Sequence, residues 1–69
     1  MNYENILVTT YDSIAHIRLN RPAKRNAVNN GLLQDIEAAL DGMGADATVV
    51  VISGEGAHFS AGLDLSEHQ

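Results

Sequence analysis

The stretch that decides the fold is VVVISGEGAHFSAGLDL, residues 49–65. Four apolar residues, three of them valine, lead into a glycine-bounded loop, and the pattern after the loop predicts the first turn of a helix. A junction of this kind gathers free backbone N–H groups and the positive end of a helix dipole, where an anion or a developing negative charge can be held. We therefore expect any chemistry of this protein at this loop.

The residues before the loop predict a sheet. The apolar run gives a strand at Thr48–Ser53, and its unbroken character predicts a strand covered on both faces, as in a parallel or mixed sheet under helices. Upstream, a strand is predicted at Asn5–Thr10, a turn at Tyr11–Ser13, and an alternating strand from Ile14 to about Asn20. Because the connection between these two strands is short, they form an antiparallel hairpin.

A helix is predicted between the hairpin and the apolar strand. Asn29 or Asn30 is a suitable N-cap, while Gly42 and Gly44 provide the stop. The segment before the helix, Ala23–Asn30, is predicted to be irregular. The apolar face of the helix is predicted from residues at helical spacing: Leu32, Leu33, Ile36, Ala39, Leu40 and Met43.

Composition excludes several classes of protein. The length of 69 residues allows one domain at most, and no cysteine is present for disulfides or thiolate metal sites. Four basic and nine acidic residues give a net charge of −5, which argues against general nucleic-acid binding. The three histidines lack metal-ligand spacing, and neither a secretory signal nor a membrane-spanning run is found. We therefore expect a cytoplasmic protein without a metal site and without membrane or nucleic-acid partners.

The positive charge is concentrated in one place. All four basic residues lie in one eight-residue window, as Arg18, Arg21, Lys24 and Arg25. One interpretation is a solvated loop whose charges keep it in water. The other is a local anion-binding patch suited to a phosphate-bearing small molecule. Sequence position alone leaves both open.

Familiar site motifs do not match the loop. A dinucleotide-binding fingerprint would need glycine where Phe59 stands, and a Walker-type phosphate loop would need a lysine, but none follows Lys24. The residues 58–62 resemble a nucleophile elbow, yet His58 occupies the place of its first glycine. A serine nucleophile at Ser60 remains as an alternative.

Individual loop residues also have simple structural interpretations. Phe59 is interpreted as an anchor that buries its ring under the loop, and His58 as an exposed loop histidine. The small residues Ser60–Gly62 form a tight turn or allow close approach of a ligand to the backbone. Asp64 begins a capping-box pattern, but the helix that it announces has room only as far as Gln69. The chain is therefore expected to be the N-terminal piece of a longer protein.

Four segments resemble, in order and spacing, the opening of the enoyl-CoA hydratase/isomerase (crotonase) superfamily: Ile17–Pro22, Lys24–Ala27, Val51–Gly54 and Phe59–Leu65. The likeness covers nearly the whole chain from Asn5 onward. It implies an α/β fold, a crotonase-like spiral of β-β-α units. Residues 1–69 would supply only the N-terminal fragment of its single domain: the hairpin, the helix, the strand and the start of a second helix. The resemblance also implies assembly as homotrimers or hexamers when full length.

The same resemblance implies a function in acyl-CoA chemistry, as in fatty acid metabolism. Members of the family stabilise the enolate of a CoA thioester with two backbone N–H groups, and the first donor would be the N–H of Leu63. The basic segment would meet the CoA nucleotide, and Ala27 and Ala61 would line the adenine and pantetheine path. The substrate and CoA contacts carried over from the family are Lys24, Arg25, Ala27, Ala61, Leu63, Asp64 and Leu65.

The resemblance leaves the reaction open. Hydratases, isomerases, hydrolases, decarboxylases and dehalogenases share this opening, and the second oxyanion donor and the catalytic carboxylates lie downstream of it. The 69-residue chain is therefore expected to be inactive alone. For a hydratase, water would add across the 2,3 double bond of an enoyl thioester, with CoA as part of the substrate and no separate cofactor. The alternatives are a non-catalytic CoA-binding or assembly fragment and the serine hydrolase using Ser60.

Overall fold

The computed structural model describes residues 3–43, 47–60 and 62. Its sheet has the order β1-β2-β3, with β1 and β2 antiparallel and β2 and β3 parallel. This arrangement confirms the predicted hairpin and the mixed sheet. The elements in chain order are β1 at Ile6–Tyr11, β2 at Ile14–Leu19, a 3-10 helix at Pro22–Lys24, α1 at Asn30–Met43 and β3 at Val49–Gly54.

The hairpin turns on two residues, Asp12 and Ser13. Tyr11 pairs with Ile14, so the tyrosine belongs to β1 rather than to the turn. The two turn residues have φ angles of 49° and 68°, as a type I′ turn requires, and this turn matches the twist of the flanking strands. Asp and Ser tolerate this geometry through local hydrogen bonds of their short polar side chains.

The central strand β2 separates a buried face from an open one. Its residues Ala15, Ile17 and Leu19 are buried, whereas Ile14 and Arg18, which occupy alternate positions, are exposed. Because side chains of a strand alternate between the two faces, α1 covers only the face that carries the first set. The buried core lies between this face and the helix, and it consists of Ile6, Ile17, Leu19, Leu32 and Ala39.

The buried stripe of α1 is narrower than predicted. Leu33 and Leu40 are 48% and 44% exposed, because they lie beside the line of residues that meets the sheet. Gly42 does not stop the helix, which continues to Met43, and Gly44 lies outside the described residues. The residues that form the core-facing stripe are Leu32, Ile36, Ala39 and Met43.

The expectation that β3 is covered on both faces is wrong for the described part of the chain. Val49, Val50, Val51 and Ile52 are between 41% and 51% exposed, although they point alternately to the two faces. The physical reason is that β3 lies at the edge of the sheet and α1 packs over β1 and β2. An apolar run predicts the strand correctly, but it does not supply the elements that cover it.

The open face of the sheet carries two polar pairs, which join β2 to Ser53 in β3 and to Glu55, the residue directly after β3. Nε2 of His16 and Oγ of Ser53 are 2.6 Å apart, and the Arg18 guanidinium lies 3.4 Å from the Glu55 carboxylate. Both members of the ion pair are more than two-fifths exposed, so solvent screening leaves them little stabilising effect. These pairs support the register of β3 beside β2.

The predicted N-cap at the start of α1 is Asn29. Its side-chain oxygen accepts a hydrogen bond from the N–H of Leu32 at 2.8 Å. Asn29→Ala removes this acceptor, and we expect it to lower the free energy of unfolding by about 1 kcal/mol. Urea denaturation of the variant beside Asn29→Ser, which keeps a capping oxygen, checks the prediction. Equal losses for both variants would contradict it.

Candidate functional site

The candidate site lies where two loops leave the same edge of the sheet. Loop A, residues 20–28, follows β2, and loop B, residues 55–62, follows β3; residue 61 of loop B lies outside the described residues. Leu19 and Gly54 are register partners in the parallel pair, and the N–H of Glu55 donates to the carbonyl of Leu19 at 2.8 Å. The loops therefore begin side by side at the carboxyl ends of parallel strands, a common place for ligand sites.

Loop A is more ordered than the predicted irregular segment. It starts with the 3-10 helix at Pro22–Lys24, whose proline occupies the first turn, where a missing N–H costs little. Arg25 and Asn26 follow with φ angles of 52° and 55°. The N–H of Asn26 donates back to the carbonyl of Arg21 at 2.8 Å. This reversal turns the Asn26 side chain inward, toward loop B.

Asn26 is the centre of the contact between the loops. It is completely buried, and its amide is satisfied at both ends. The side-chain oxygen accepts from the N–H of Arg21 at 2.8 Å, and Nδ2 donates to the carbonyls of Glu55 at 2.9 Å and His58 at 2.8 Å. Because a buried amide without partners is costly, this set of hydrogen bonds fixes both loops strongly.

The later part of loop B is held by Ser60 and Val28. The Ser60 hydroxyl donates to the Asn26 carbonyl at 2.9 Å and accepts from the N–H of Gly62 at 3.1 Å. The N–H of Val28 donates to the Gly62 carbonyl at 2.7 Å. Gly62 has a φ of 93°, which glycine adopts without strain. Hydrogen bonds from loop A therefore hold loop B as far as Gly62, the residue before Leu63.

The surroundings of Ser60 favour a structural role for its hydroxyl. Both of the hydrogen bonds just described join it to backbone groups, and its proton points to a carbonyl oxygen. A serine nucleophile needs a base that accepts this proton. His58 is exposed, as interpreted from the sequence, and contributes its backbone carbonyl to Asn26.

The interpretation of Phe59 as a buried anchor is wrong. Its side chain is 60% exposed. The backbone of loop B turns back over Gly54 and is held by the Asn26 amide, so the loop is fixed by hydrogen bonds rather than by an apolar ring. Phe59 is instead an exposed aromatic side chain of loop B.

The basic cluster divides into two pairs. Arg18 faces Glu55, and a guanidinium nitrogen of Arg21 donates to the carbonyl of Ala27 inside loop A. Lys24 and Arg25 are exposed in the same loop. The anion patch stays a prediction, and the exposed basic residues of loop A are Lys24 and Arg25.

Sequence reasoning named positions in both loops but did not single out Asn26, the residue that joins them. Of the predicted positions, Lys24, Arg25 and Ala27 lie in loop A. The others lie outside the described residues: Ala61, Leu63, Asp64 and Leu65. The described neighbours of the second set, Ser60 and Gly62, are hydrogen-bonded to loop A, so the structure brings the two predicted segments together. Asn26 was quoted only as part of a motif.

The described residues show two further features. Within residues 3–43, 47–60 and 62, no three metal-ligating side chains are grouped so that they could hold an ion. In the same part of the chain, no helix has the length and apolar character needed to cross a membrane.

Comparison with known proteins shows what this arrangement is similar to. The chain is 41% identical to a probable enoyl-CoA hydratase from Rhizobium meliloti over all of its own length and 28% of that protein. It is 38% identical to the mitochondrial Delta(3,5)-Delta(2,4)-dienoyl-CoA isomerase of Mus musculus, over 96% of this chain and 21% of the isomerase. It is 45% identical to 4-chlorobenzoyl coenzyme A dehalogenase-1 from an Arthrobacter species, over 91% of this chain and 24% of the dehalogenase.

A solved structure of the same kind of protein has a similar fold. The crystal structure of an enoyl-CoA hydratase/isomerase from Xanthobacter autotrophicus superposes with a TM-score of 0.86 at 39% identity, over 94% of this chain and 25% of that one. The chain thus spans about a quarter of the length of the proteins it matches, and it corresponds to their N-terminal region. This confirms the crotonase-like fold predicted from the motifs. The sequence profile of the enoyl-CoA hydratase/isomerase family matches residues 9–69, and the chain belongs to that family.

Proposed function

We propose that this sequence supplies the first part of an acyl-CoA enzyme that stabilises the enolate of a CoA thioester. Its relatives are named as acting on enoyl, dienoyl and chlorobenzoyl thioesters of CoA, so the group shared by their substrates is the thioester. The observation that carries the proposal is the hydrogen bond of 2.7 Å from the N–H of Val28 to the carbonyl of Gly62. Gly62 directly precedes Leu63 in the sequence. In the proposal, the N–H of Leu63 is the first oxyanion donor.

The CoA contacts of the proposal lie on both loops. The exposed side chains of Lys24 and Arg25 supply positive charge for the phosphates of CoA. Ala27 of loop A is half-buried, and in the proposal its small side chain lets the extended CoA moiety pass close to the backbone. From loop B and the residues after it, the proposed contacts are Ala61, Leu63, Asp64 and Leu65.

The reaction that we favour is hydration of a 2-enoyl thioester, since the similar proteins include a probable enoyl-CoA hydratase and an enoyl-CoA hydratase/isomerase. Water would add across the 2,3 double bond while the Leu63 N–H binds the oxygen on which negative charge develops. The second donor and the acid and base groups would come from further chain, and the complete enzyme would be a cytoplasmic homotrimer or hexamer. No further cofactor belongs to the proposal.

The first test is made on the natural polypeptide that carries this sequence. Its intact mass is measured from its own source, and hydration is then followed by the loss of absorbance of a conjugated enoyl thioester. Turnover that depends on the CoA moiety supports the proposal. Binding of CoA without turnover would instead support the non-catalytic alternative, and neither binding nor turnover would overturn both.

Replacement of Ser60 separates the proposed function from the hydrolase alternative. Ser60→Ala removes the link between Asn26 and Gly62 but no group that touches the thioester in our proposal. We expect kcat to fall by roughly threefold to tenfold, because the donor is then held less firmly. A serine nucleophile would lose on the order of 10⁶-fold in kcat.

Steady-state kinetics with enoyl-CoA, and with the corresponding saturated acyl-CoA as a hydrolysis substrate, measures the difference. Ala57→Ser, an exposed position of the same loop, is the control for general effects of substitution. Complete loss of thioester hydrolysis in Ser60→Ala alone would contradict the enolate mechanism.

A further inference from the structure

We infer that Asn26 is a positioning residue for the oxyanion donor, acting through loop B. The inference rests on the proposed function and adds a residue to it. Asn26 has no accessible surface, so its side chain acts through the protein groups that it contacts. Those groups belong to both loops of the candidate site.

The first step is the bridge between distant parts of the chain. Nδ2 donates hydrogen bonds to two carbonyls that are 29 and 32 residues away in sequence, those of Glu55 and His58. The side-chain oxygen faces the N–H of Arg21 in loop A. An amide is required here, because the site offers one donor on one side and two acceptors on the other.

The second step runs along the backbone of Asn26 to Gly62. The Asn26 carbonyl accepts a hydrogen bond from the Ser60 hydroxyl, and the Ser60 oxygen accepts one from the N–H of Gly62. Two residues after Asn26, the N–H of Val28 donates to the Gly62 carbonyl at 2.7 Å. Gly62 is therefore held at its N–H by Ser60, which is bound to the Asn26 carbonyl, and at its C=O by Val28 of the same loop as Asn26.

The third step is a property of the peptide unit. A carbonyl and the N–H of the next residue belong to one planar peptide group, and in a trans peptide they point in opposite directions. A hydrogen bond that fixes the carbonyl therefore also sets the direction of the N–H. An oxyanion donor is effective only when it is aimed at the atom on which charge develops, and a misplacement of about 1 Å is worth on the order of 10²-fold in rate.

The test compares two asparagines in the natural polypeptide. Asn26→Ala breaks the bridge, whereas Asn29→Ala removes the cap of α1 and leaves the bridge unaltered. We expect Asn26→Ala to lower kcat for enoyl-CoA hydration on the order of 10²-fold, with a much smaller change in KM, because the contact strengthens in the transition state. Asn29→Ala should leave kcat within about twofold of the wild-type value, since any loss of stability there arises in the helix.

Two further measurements keep the test decisive. Amide hydrogen exchange should accelerate in loop B of Asn26→Ala while the core strands β1 and β2 stay protected. If the core strands lose protection as well, Ser60→Ala replaces Asn26→Ala in the comparison. It removes only the hydrogen bonds of Ser60 to the Asn26 carbonyl and the Gly62 N–H, and it should lower kcat severalfold relative to Asn29→Ala. Asn26→Asp keeps the acceptor for Arg21 but faces the Glu55 and His58 carbonyls with oxygen, so it should not restore kcat.

The inference is overturned if Asn26→Ala, with its core strands protected, retains kcat within twofold of the wild type. In that outcome the proposed function stands, because the wild type still converts the thioester. A wild-type protein that converts no CoA thioester overturns the proposed function itself, whatever the variants do.

Discussion

Leu63→Pro is expected to lower kcat for enoyl-CoA conversion by a factor on the order of 10²–10³ in the natural polypeptide that carries this sequence. Proline has no N–H, so the substitution deletes the proposed donor while the carbonyl of Gly62 remains available to Val28. The loss corresponds to about 3–4 kcal/mol of transition-state stabilisation. Steady-state kinetics measures it, and equal falls in kcat and kcat/KM would identify an interaction made only in the transition state.

Two comparisons separate the missing N–H from a disturbed turn. Proline also restricts the residue before it, but that residue is Gly62, whose φ of 93° already lies in a region open to glycine. Leu63→Ala keeps the N–H and shortens only the side chain, so its loss of kcat should be far smaller than that of Leu63→Pro. If the proline variant turns over at the wild-type rate, Leu63 has no part in the mechanism.

The sheet could be predicted because its signals are local. The alternation of β2 and the turn residues Asp12 and Ser13 are sufficient for a hairpin, and the chain places the turn one residue later than predicted. The helix between β2 and β3 is long enough to make those strands parallel, as they are. Strand period, turn chemistry and connection length all act over a few residues, so one sequence reveals them.

Burial was harder to predict because it depends on what lies opposite. Phe59 was expected inside and is 60% exposed, and the apolar residues of β3 are exposed at the sheet edge. Leu33 and Leu40 have the spacing of a core stripe but lie beside it. In each case the residue type shows a preference for burial, while the neighbour that would satisfy it is set by the tertiary arrangement.

Within the site, the sequence indicated the segments but not the residue that joins them. The basic window and the small-residue loop were both singled out, and the structure places them side by side at the ends of parallel strands. Asn26 in an irregular segment suggests only a turn, because asparagine tolerates a positive φ there. Its partners are 29 and 32 residues away, and no local pattern specifies such a pairing.

Gly54→Ala is expected to be the most damaging small substitution for stability among the glycines of the described chain. A Cβ at this position would lie 2.7 Å from both the carbonyl oxygen of His58 and the Cα of Phe59. These are backbone atoms, so no side-chain rotation relieves the clash and loop B must move away from β3. That movement pulls the His58 carbonyl from the buried Asn26 amide. We expect the free energy of unfolding to fall by about 2–4 kcal/mol, from overpacking and the lost hydrogen bond together.

Gly42 provides the matched control, because the same added methyl group meets nothing within 4 Å there. Gly42 lies inside α1, where alanine is the better helix former, so Gly42→Ala should raise the free energy of unfolding by roughly 0.5–1 kcal/mol. Urea denaturation of both variants therefore tests whether the same added methyl group changes the free energy of unfolding in opposite directions at the two positions. If Gly54→Ala lowers the free energy of unfolding by less than about 1 kcal/mol, loop B moves away from β3 at little cost. A loop that moves so easily could not hold the Leu63 N–H in the direction that the proposed mechanism needs.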